Sequence, residues 1–340
     1  MKKLDYKKIV DHYRDMGVIL TLKEGKLSYL SHKPLSQEQI AFLKEHKEGI
    51  IKLLATGTIE FPLTDIQSSY LLGRTESFDY GGISCQIYLE TEYPELCPSK
   101  VKKSWEYLIN RHEMLRVKIR DDGYQEILEK SPDFDINCID LRGKKNSLEE
   151  LKKIRSEMEN KEFCIGSWPY FDIAVSLQDN KAIMHMTVDF LIADWTSIWI
   201  LIDEFERIYN CPEQELDTLD LTFREYIKLE QNMRGTKQYN EDKKYWINRI
   251  DSMPTGPILP ILNKSNVQNG FERYFYQMDL NSWLELKKRA LKYGCTPTAV
   301  VAAVHASVLD KWSPNDKFVL NLTLLNRLPL HENVNKIVGD

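Results

Sequence analysis

The stretch from Tyr170 to Ala193 constrains the fold more than any other part of the chain. It reads YFDIAVSLQDNKAIMHMTVDFLIA, two apolar runs separated by a short polar segment, which is the pattern of a buried strand pair. The run DWTSIWILIDEFERIY follows it directly and has apolar residues at helical spacing. A buried strand that turns directly into an amphipathic helix predicts a mixed α/β core, with Asp189 and Asp194 at the turn.

The composition is that of a protein with a substantial globular core. With 340 residues, 42% of them hydrophobic and 29% charged, the chain is long enough for about two domains. Its net charge of -5 argues against nucleic acid as a main partner, because phosphate binding requires a basic surface. The N-terminal MKKLDYKKIV lacks the apolar core of a signal peptide, and no run reaches the roughly 18 apolar residues of a membrane span. We therefore expect a cytoplasmic protein that binds neither nucleic acid nor membrane.

The cysteines support neither a metal site nor a disulfide framework. None of the six belongs to a CxxC pair or a Cys/His cluster, the usual signatures of zinc sites. We interpret them as reduced, mostly buried thiols and predict no bound metal. The positions are Cys85, Cys97, Cys138, Cys164, Cys211 and Cys295.

Residues 1–56 are predicted to form a small unit of their own. The amphipathic run LDYKKIVDHYRDMG precedes two short alternating runs around a glycine-containing turn, VILTLKEGKLSYL, which is the signal of a hairpin. A second amphipathic run follows Ser36, a candidate helix N-cap. A helix–hairpin–helix of this size is near the lower limit for independent folding, and we expect it to serve binding.

From Phe61 onward, strand-like and helical runs alternate, which predicts a mixed α/β body over residues 61–250. The polar, proline-rich segment DSMPTGPILPILNKSNVQNG interrupts this pattern, and we interpret it as a linker into a second lobe, residues 251–340. Two helices and the apolar run DKFVLNLTLLN, predicted to be a strand, begin that lobe. Because the sequence stops after another apolar run, we expect this lobe to be incomplete. The sequence contains no phosphate-binding loop, GxSxG or HExxH motif.

Several motifs, in order, resemble the heterocyclization domains of nonribosomal peptide synthetases, a branch of the condensation domains. FPLTDIQSSYLLGR (61–74) resembles the family's opening motif, RHEMLR (111–116) its second, and DFLIADWTS (189–197) the diagnostic DxxxxDxxS. MPTGPILPI, TPTAVVAAVHASVLDKW, and NLTLLNRLPLH followed by VGD resemble later motifs. The resemblance implies a chloramphenicol acetyltransferase-like condensation fold, with an N-terminal lobe and the start of a second lobe.

The first 56 residues separately resemble the TubC-type docking domains found at the N-termini of assembly-line subunits, an α-β-β-α unit. The hairpin GVILTLKEGKLSYLS carries this match. The resemblance implies that the hairpin edge captures the C-terminal tail of an upstream synthase or synthetase by strand addition. Lys23 and Lys26, beside the turn, are candidates for favouring an acidic tail, although exposed lysines are commonly only solvated.

The DxxxxDxxS segment separates two branches of the family. By resemblance, ordinary condensation domains carry HHxxxDG, which places Asp189 at the first histidine and Phe190 at the second, the one usually assigned to catalysis. A phenylalanine cannot exchange a proton, so the substitution favours heterocyclization over the ordinary amide-forming class. It also contradicts a stand-alone acyltransferase of the chloramphenicol acetyltransferase-like superfamily, which would use that histidine.

Asp189, Asp194 and Ser197 are the candidate catalytic residues, and each has a structural alternative. Either Asp194 or Thr196 stands where the N-cap of the following helix belongs. For Asp194, the resemblance adds an ion pair to Arg327, which follows Asn326 in the NR motif. Ser197 falls in the first helical turn, where a serine commonly caps or packs, and a nucleophilic role needs an adjacent base.

Strand alternation in IMHMTVDF puts His185 and Asp189 on one face. That polar face either lines a substrate channel or forms a hydrogen-bonded network that holds two lobes together, and the sequence leaves both alternatives open. His185 by itself is more commonly a structural histidine than a base. His112 and Arg116 in RHEMLR are likewise predicted to be structural.

By resemblance, the complete domain acts on two thioesters carried on the phosphopantetheine arms of upstream and downstream carrier proteins, with no cofactor of its own. The amine of a cysteine, serine or threonine attacks the upstream acyl thioester, its thiol or hydroxyl adds to the new carbonyl, and loss of water gives a thiazoline or oxazoline. Family residues assigned to this dehydration lie downstream of the GD at 339–340, so we expect these 340 residues alone to form no ring. A non-catalytic docking or scaffold protein is the alternative.

Overall fold

The fold is described from a computed structural model of the chain. The structure describes residues 6–16, 18–23, 26–31, 34–56, 59–75, 81–260, 276–325 and 327–340. The chain divides into two compact units, the first comprising Met1–Gln231 with Leu325–Asp340 and the second Asn232–Leu324. The domain boundaries expected from the sequence stay predictions.

The N-terminal region of the first unit is a hairpin covered by helices. α1 (Tyr6–Asp15) precedes the antiparallel strands β1 (Val18–Lys23) and β2 (Lys26–Ser31), which are followed by α2 (Gln37–Glu45) and α3 (Lys47–Thr56). This is the predicted helix–hairpin–helix order, with the last helix divided in two. A separate apolar core holds the region together, formed by Val10, Tyr13, Val18, Leu20, Leu35, Leu43 and Ile50.

Local capping explains where the divided helix begins and breaks. The Ser36 side chain accepts a hydrogen bond from the Gln39 amide, and the Gln39 side chain accepts one from the Ser36 amide, so the predicted N-cap is part of a capping box. His46 leaves helical geometry and ends α2. The chain then starts α3, which contributes the fully buried Ile50 to the core.

The main body alternates strands and helices, which confirms the predicted mixed α/β architecture. Its strands are β3 (Ile59–Pro62), β4 (Gln86–Tyr93), β5 (Val117–Ile119), β6 (Tyr124–Ile127), β7 (Asn137–Asp140), β8 (Phe171–Leu177) and β9 (Ala182–Asp189). Its helices are α4 (Asp65–Gly73), α5 (Pro98–Arg111), α6 (Ser147–Glu159), α7 (Trp195–Asn210) and α8 (Phe223–Met233).

The strands form two sheets, and β9 is central to the larger one. The four-stranded sheet has the order β4-β9-β8-β7, in which β9 pairs antiparallel with β4 and β8, and β7 joins β8 in parallel. The smaller sheet has the order β3-β6-β5. The strand pair predicted from the opening sequence feature is β8 and β9.

Both faces of β9 are covered, so all eight of its residues are buried. Met184, Met186 and Val188 face the main apolar core. Ile183 belongs to a second cluster that includes side chains of α6. Alternation places His185 on the same side as Ile183, under α6 rather than toward the main core.

The described residues of the second unit contain the helices α9 (Lys237–Ile250), α10 (Leu280–Lys292) and α11 (Pro297–Trp312). Each begins at a side chain whose oxygen accepts a hydrogen bond from a first-turn amide, which satisfies an otherwise unpaired donor. These caps are Thr236, Asp279 and Thr296.

The prediction of a strand at DKFVLNLTLLN is wrong. No strand is present in the described residues 316–325. The Val319 amide bonds the Thr255 carbonyl at 3.1 Å, but no continuous ladder forms. A strand needs a paired neighbour, and the described part of this unit provides none.

The prediction that the cysteines are mostly buried is also wrong, because all six are free and exposed. Several stand at the ends or edges of elements, where the chain leaves the core. Cys97 is the N-cap of α5, Cys211 is the C-cap of α7, and Cys138 lies in the outer strand β7.

The packing of α7 makes a prediction about stability. Leu201 is fully buried in the main core, whereas Leu148 at the start of α6 is 74% exposed. We expect Leu201→Ala to lower the free energy of unfolding by about 2–5 kcal/mol because it leaves a cavity. Leu148→Ala should change it by less than about 0.5 kcal/mol. Urea denaturation of both variants checks this, and equal losses would contradict the assigned core.

Candidate functional site

One face of α4 contacts the loop that follows β9, residue by residue. The Gln67 side-chain amide donates to the Leu191 carbonyl at 2.6 Å. One turn later the Tyr70 ring stacks on Phe190, with ring centroids 6.3 Å apart. One further turn places Arg74 in an ion pair with Asp189. Positions i, i+3 and i+7 share a helix face, so the opening motif holds three consecutive residues of the DxxxxDxxS segment.

Gln67 also fixes α4 to the smaller sheet. It is completely buried, as is Gln125 on β6, and the two side-chain amides lie within hydrogen-bonding distance of each other, at 2.8 and 3.1 Å. The Gln67 side-chain oxygen accepts a hydrogen bond from the Thr64 amide and closes a capping box at the start of α4. The loop after β9 is thereby attached to both sheets.

Asp189 is fully buried and has protein partners on both carboxylate oxygens. Oδ1 accepts a hydrogen bond from the Leu191 amide at 2.9 Å, and Oδ2 pairs with Arg74. Burial raises the pKa of Asp189, opposed by the Arg74 guanidinium. Arg74 in turn donates to the Phe163 carbonyl at 3.0 Å. Of the two alternatives for Asp189, this geometry favours the hydrogen-bonded network.

His185 lies in a second buried network, between the large sheet and α6. Its Nδ1 is 2.7 Å from the Tyr88 hydroxyl and its Nε2 is 2.8 Å from the Ser176 hydroxyl. Glu90 accepts from Tyr88 at 2.6 Å and from Arg155 at 2.5 and 2.7 Å. Burial lowers the pKa of His185, although Glu90 opposes this. Both ring nitrogens have neighbours in the protein, which suits a structural histidine.

Asp194 is the N-cap of α7, in agreement with the pattern in the sequence. Its Oδ1 accepts a hydrogen bond from the Ser197 amide at 2.7 Å. Arg327 pairs with both carboxylate oxygens, at 2.9 Å from Nε and 2.6 Å from Nη2. Arg327 Nη1 also donates to the carbonyls of Val334 and Ile337, at 2.9 and 2.6 Å. The ion pair implied by the family resemblance is therefore present, and it anchors the last residues of the chain to α7.

Ser197 is fully buried, and its hydroxyl has several protein neighbours. The oxygen accepts hydrogen bonds from the Gly339 amide at 2.9 Å and from Arg327 at 2.8 Å. It lies 2.7 Å from Asp194 Oδ1 and 3.0 Å from the Gly339 carbonyl, the acceptors available to its proton. A hydroxyl enclosed in this way supports the capping and packing role over the nucleophilic one.

Gly339 belongs to the cluster formed by Asp194, Ser197 and Arg327. Its position has no room for a side chain. A Cβ atom at this position would approach the Phe223 ring to 2.1 Å. The close approach lets the Gly339 carbonyl accept from the Asp194 amide at 3.1 Å. The glycine of the VGD motif is thus required by packing against α8.

Asp340 and Tyr70 are site residues that the sequence pattern did not single out. The Tyr70 hydroxyl faces the Asp340 carboxyl, and the Thr64 hydroxyl donates to the Asp340 main-chain oxygen at 3.2 Å. Burial, together with the Asp194 carboxylate, raises the pKa of Asp340 to about 7, against the opposing influence of Arg327. The helical spacing of residues 67, 70 and 74 within the opening motif is the signal that could have identified this face.

The side chains of the second motif bond to neighbouring elements, and their structural role stays a prediction. His112 Nε2 lies 2.7 Å from Glu204 on α7, and Arg111 binds both oxygens of that carboxylate at 3.0 and 3.1 Å. Burial opposes ionisation of Glu204, but His112 and Arg111 outweigh it and lower its pKa. Arg116 donates to the carbonyls of Ile109 and Leu128 at 2.9 and 2.6 Å. These bonds fix α5 against α7 and β6.

The remaining candidates lie elsewhere. Lys23 and Lys26 are paired positions at the tip of the β1–β2 hairpin, and the Lys26 side chain is exposed. Asn326 falls outside the described residues. The site therefore unites Asp189, Asp194, Ser197, Phe190 and Arg327, while the roles proposed for them in chemistry stay predictions.

The fold and these motifs define a class of protein. The Condensation domain family matches residues 59–340, and the chain belongs to this family. It is similar to pyochelin synthetase PchF of Pseudomonas aeruginosa (strain UCBPP-PA14), at 32% identity over 347 residues that cover 98% of this chain and 19% of that protein. Phenyloxazoline synthase MbtB of Mycobacterium tuberculosis (strain ATCC 25618 / H37Rv) is 30% identical over 289 residues, covering 82% of this chain and 20% of that protein.

Among solved structures, the chain resembles the EpoB NRPS cyclization-docking bidomain from Sorangium cellulosum. The TM-score is 0.73 at 28% identity, over 99% of this chain and 71% of that chain. This likeness confirms the condensation-domain fold. The chain spans about a fifth of the length of the two curated relatives. No helix in the described residues has both the length and the apolar character that a membrane crossing requires.

The Asp194–Arg327 pair makes a prediction about stability. Both side chains are close to nine-tenths buried, so Arg327→Met should lower the free energy of unfolding by about 3–5 kcal/mol, because it leaves a buried charge unpaired. Urea denaturation measures the loss. Arg142→Met, which breaks an exposed pair with Asp140, should have no measurable effect.

A double-mutant cycle separates the pair from its surroundings. Asp194→Asn combined with Arg327→Met should cost less than the sum of the single substitutions, because residues in direct contact are coupled. Strictly additive losses would contradict a direct interaction between the two side chains.

Proposed function

We propose that this condensation-family chain belongs to a synthetase that joins two carrier-bound thioesters and closes a heterocycle. A cysteine, serine or threonine amine attacks the upstream acyl thioester and forms an amide. The side-chain thiol or hydroxyl then adds to the amide carbonyl, and loss of water leaves a thiazoline or oxazoline.

The observation that carries this proposal is the presence of Phe190 where a histidine would be expected. It occupies the position of the second histidine of ordinary condensation domains, and the Tyr70 ring stacks on it. No imidazole base stands at that position, while Asp189 is engaged by Arg74. Such a site suits the heterocyclization branch, whose DxxxxDxxS pattern it carries.

The names of the relatives support the same branch. One similar protein is called a phenyloxazoline synthase, which names an oxazoline ring, and the similar solved structure is called a cyclization-docking bidomain. We extend ring formation from those proteins to this chain as part of the proposal.

The proposed substrates arrive on the phosphopantetheine arms of an upstream and a downstream carrier protein. Holding two thioesters close together lowers the entropic barrier to their reaction. Ring closure further needs an acid for the departing hydroxide and a base for the amide proton. We propose that the chain binds no cofactor besides these arms.

Residues 1–56 are proposed to dock the upstream subunit. β1 and β2 pair with each other in a two-stranded sheet, so each strand has an outer edge at which a further strand can add. An extended C-terminal tail from an upstream protein would pair with such an edge, in the manner of strand addition. Lys26, exposed at the hairpin tip, would attract acidic residues of that tail.

Ring formation is tested with the complete polypeptide produced from the gene that encodes this chain. It is incubated with one carrier protein loaded with a benzoyl group and another loaded with cysteine, and the products are analysed by mass spectrometry. We expect a product lighter by one water than the benzoyl-cysteinyl amide. Amide without water loss would assign the chain to the ordinary amide-forming class, and no product of either kind would contradict the proposal.

Docking is tested by titrating this chain with peptides that match the C-terminal tails of upstream subunits in the same gene cluster. We expect saturable binding of one acidic tail, and we expect Lys26→Glu to weaken that binding several-fold. The effect of the substitution should be smaller at high salt, where exposed charges are screened. Lys145→Glu, on the exposed segment before α6, is the matched control. The absence of binding by any tail would remove the docking assignment.

A further inference from the structure

α6 is attached to the large sheet by a small apolar cluster and by one ion pair. The cluster is separate from the main core and consists of Leu141, Leu151, Ile154, Met158, Ala174 and Ile183. The ion pair joins Arg155 of α6 to both carboxylate oxygens of Glu90 on β4, at 2.5 and 2.7 Å. Elements with few buried apolar contacts open locally at a lower free energy than the core. The attachment of α6 is therefore sensitive to the state of Glu90.

The hydrogen bonds that lead away from Glu90 can be assigned a direction. A carboxylate only accepts, so the Tyr88 hydroxyl donates to Glu90 at 2.6 Å. The Tyr88 oxygen then accepts from Nδ1 of His185, 2.7 Å away. A neutral imidazole with its proton on Nδ1 has a lone pair on Nε2, which accepts from the Ser176 hydroxyl at 2.8 Å. This chain of bonds fixes His185 as the neutral tautomer protonated on Nδ1.

A second proton on His185 conflicts with this arrangement. It would go to Nε2, which faces a hydroxyl that already donates to it, and the ring is fully buried. A carboxylate close to the ring is that of Glu90, whose Oε1 lies 3.7 Å from Nδ1. Because Arg155 already binds this carboxylate, Glu90 would then face two cations, one on β9 and one on α6.

The groups around His185 come from each element packed against it. Strand alternation and the contacts of α6 place six charged or titratable side chains on this face. They are Tyr88, Glu90 and Glu92 of β4, Asp172 of β8, Asp189 of β9 and Arg155 of α6. Asp172, Asp189 and Glu92 are paired with Lys161, Arg74 and Lys181. Glu90 and Arg155 are the charged groups that act directly on His185.

We propose that Glu90, His185 and Arg155 form a pH-sensitive latch that holds α6 on the large sheet. While His185 is neutral, Glu90 binds Arg155 and the latch is closed. When His185 is protonated, the imidazolium competes with Arg155 for Glu90 and α6 is released. Release uncovers the face of β9 that carries His185, on the strand that ends at Asp189. This latch is independent of the proposed function.

The latch opens on the acid side. Burial lowers the pKa of His185, against the influence of Glu90, and Arg155 lowers it further. A histidine exposed to water titrates at about 6.5, so below that pH the open form binds more protons than the closed form. The closed form therefore loses stability as the pH falls through this range. Burial opposes ionisation of Glu90, but Arg155 and Tyr88 outweigh it and lower its pKa, so Glu90 remains a carboxylate there.

Hydrogen exchange of the α6 amides tests the latch, measured by mass spectrometry on this chain at about pH 7.5 and about pH 5.5. Exchange is expressed as protection relative to an unstructured peptide at the same pH. We expect protection of α6 to fall by up to about tenfold for each pH unit below about 6.5, while α5 keeps its protection. His185→Gln should remove this fall. His305→Gln, at an exposed histidine on α11, is the matched control and should leave it unchanged.

Arg155→Met distinguishes competition for Glu90 from the burial of a charge alone. The variant lacks one of the two cations, so α6 should be less protected at about pH 7.5 but should lose less protection on acidification. Under burial alone, the loss on acidification would be the same as in the unchanged chain. Lys153→Met, which breaks an exposed pair with Glu157 at 3.8 Å, is the control and should alter neither value.

Nitrogen NMR of the histidine side chains tests the same latch without a substitution in the network. At about pH 7.5 it should show His185 neutral with its proton on Nδ1. The midpoint of His185 protonation should coincide with the midpoint at which α6 loses protection. This measurement decides the proposal even where His185→Gln does not fold.

Several results would overturn the latch. These are equal protection of α6 at both pH values, an equal fall in His185→Gln, an equal fall in Arg155→Met, or a loss of protection in α5 as large as that in α6. A proton on Nε2 of neutral His185 would also overturn it, as would a protonation midpoint that differs from that of α6 release.

Discussion

The ion pair between Asp194 and Arg327 is the interaction on which the site depends. It joins the N-terminus of α7 to the final residues of the chain, across 133 sequence positions. A carboxylate is favourable at that helix end because it caps amide groups and complements the helix dipole. Arg327 then satisfies both carboxylate oxygens as well as two carbonyls of the last segment. Together with the bonds from Ser197, the Asp194 amide and Thr64, the pair fixes Gly339 and Asp340 between α4 and α7.

The second organising feature is the contact between α4 and the loop after β9. Three side chains on one helix face bind three successive loop residues, and a buried glutamine pair extends the attachment to the smaller sheet. Asp189 and Asp194, the carboxylates that most resembled acid–base groups in the sequence, are bonded to other protein groups. Asp189 neutralises Arg74, and Asp194 caps α7. These contacts hold Phe190 of the loop against the Tyr70 ring of α4.

Sequence reasoning recovered what depends on local pattern. The strand pair β8–β9, the cap at Ser36 and the cap at Asp194 follow from alternation, periodicity and capping chemistry within a few residues, and the partner Arg327 followed from the family motif. Contacts between distant segments were out of reach: Arg74 and Asp189 are 115 residues apart, and nothing local links Tyr70 to Asp340. The strand expected near residue 320 failed because a strand depends on a partner, which its own sequence does not specify. The cysteines were misjudged because residue type alone does not reveal a position at the end of an element.

The central claim is that Asp189, Asp194 and Ser197 hold the site together while the reacting groups lie beside Phe190. A crystal structure of the complete polypeptide with a non-hydrolysable acyl-pantetheine analogue tests this most directly. We predict that these three side chains keep the protein partners described above, and that the ligand lies beside Phe190 without a hydrogen bond to any of them. A ligand atom bonded to Asp189, to Asp194 or to the Ser197 hydroxyl would contradict this claim.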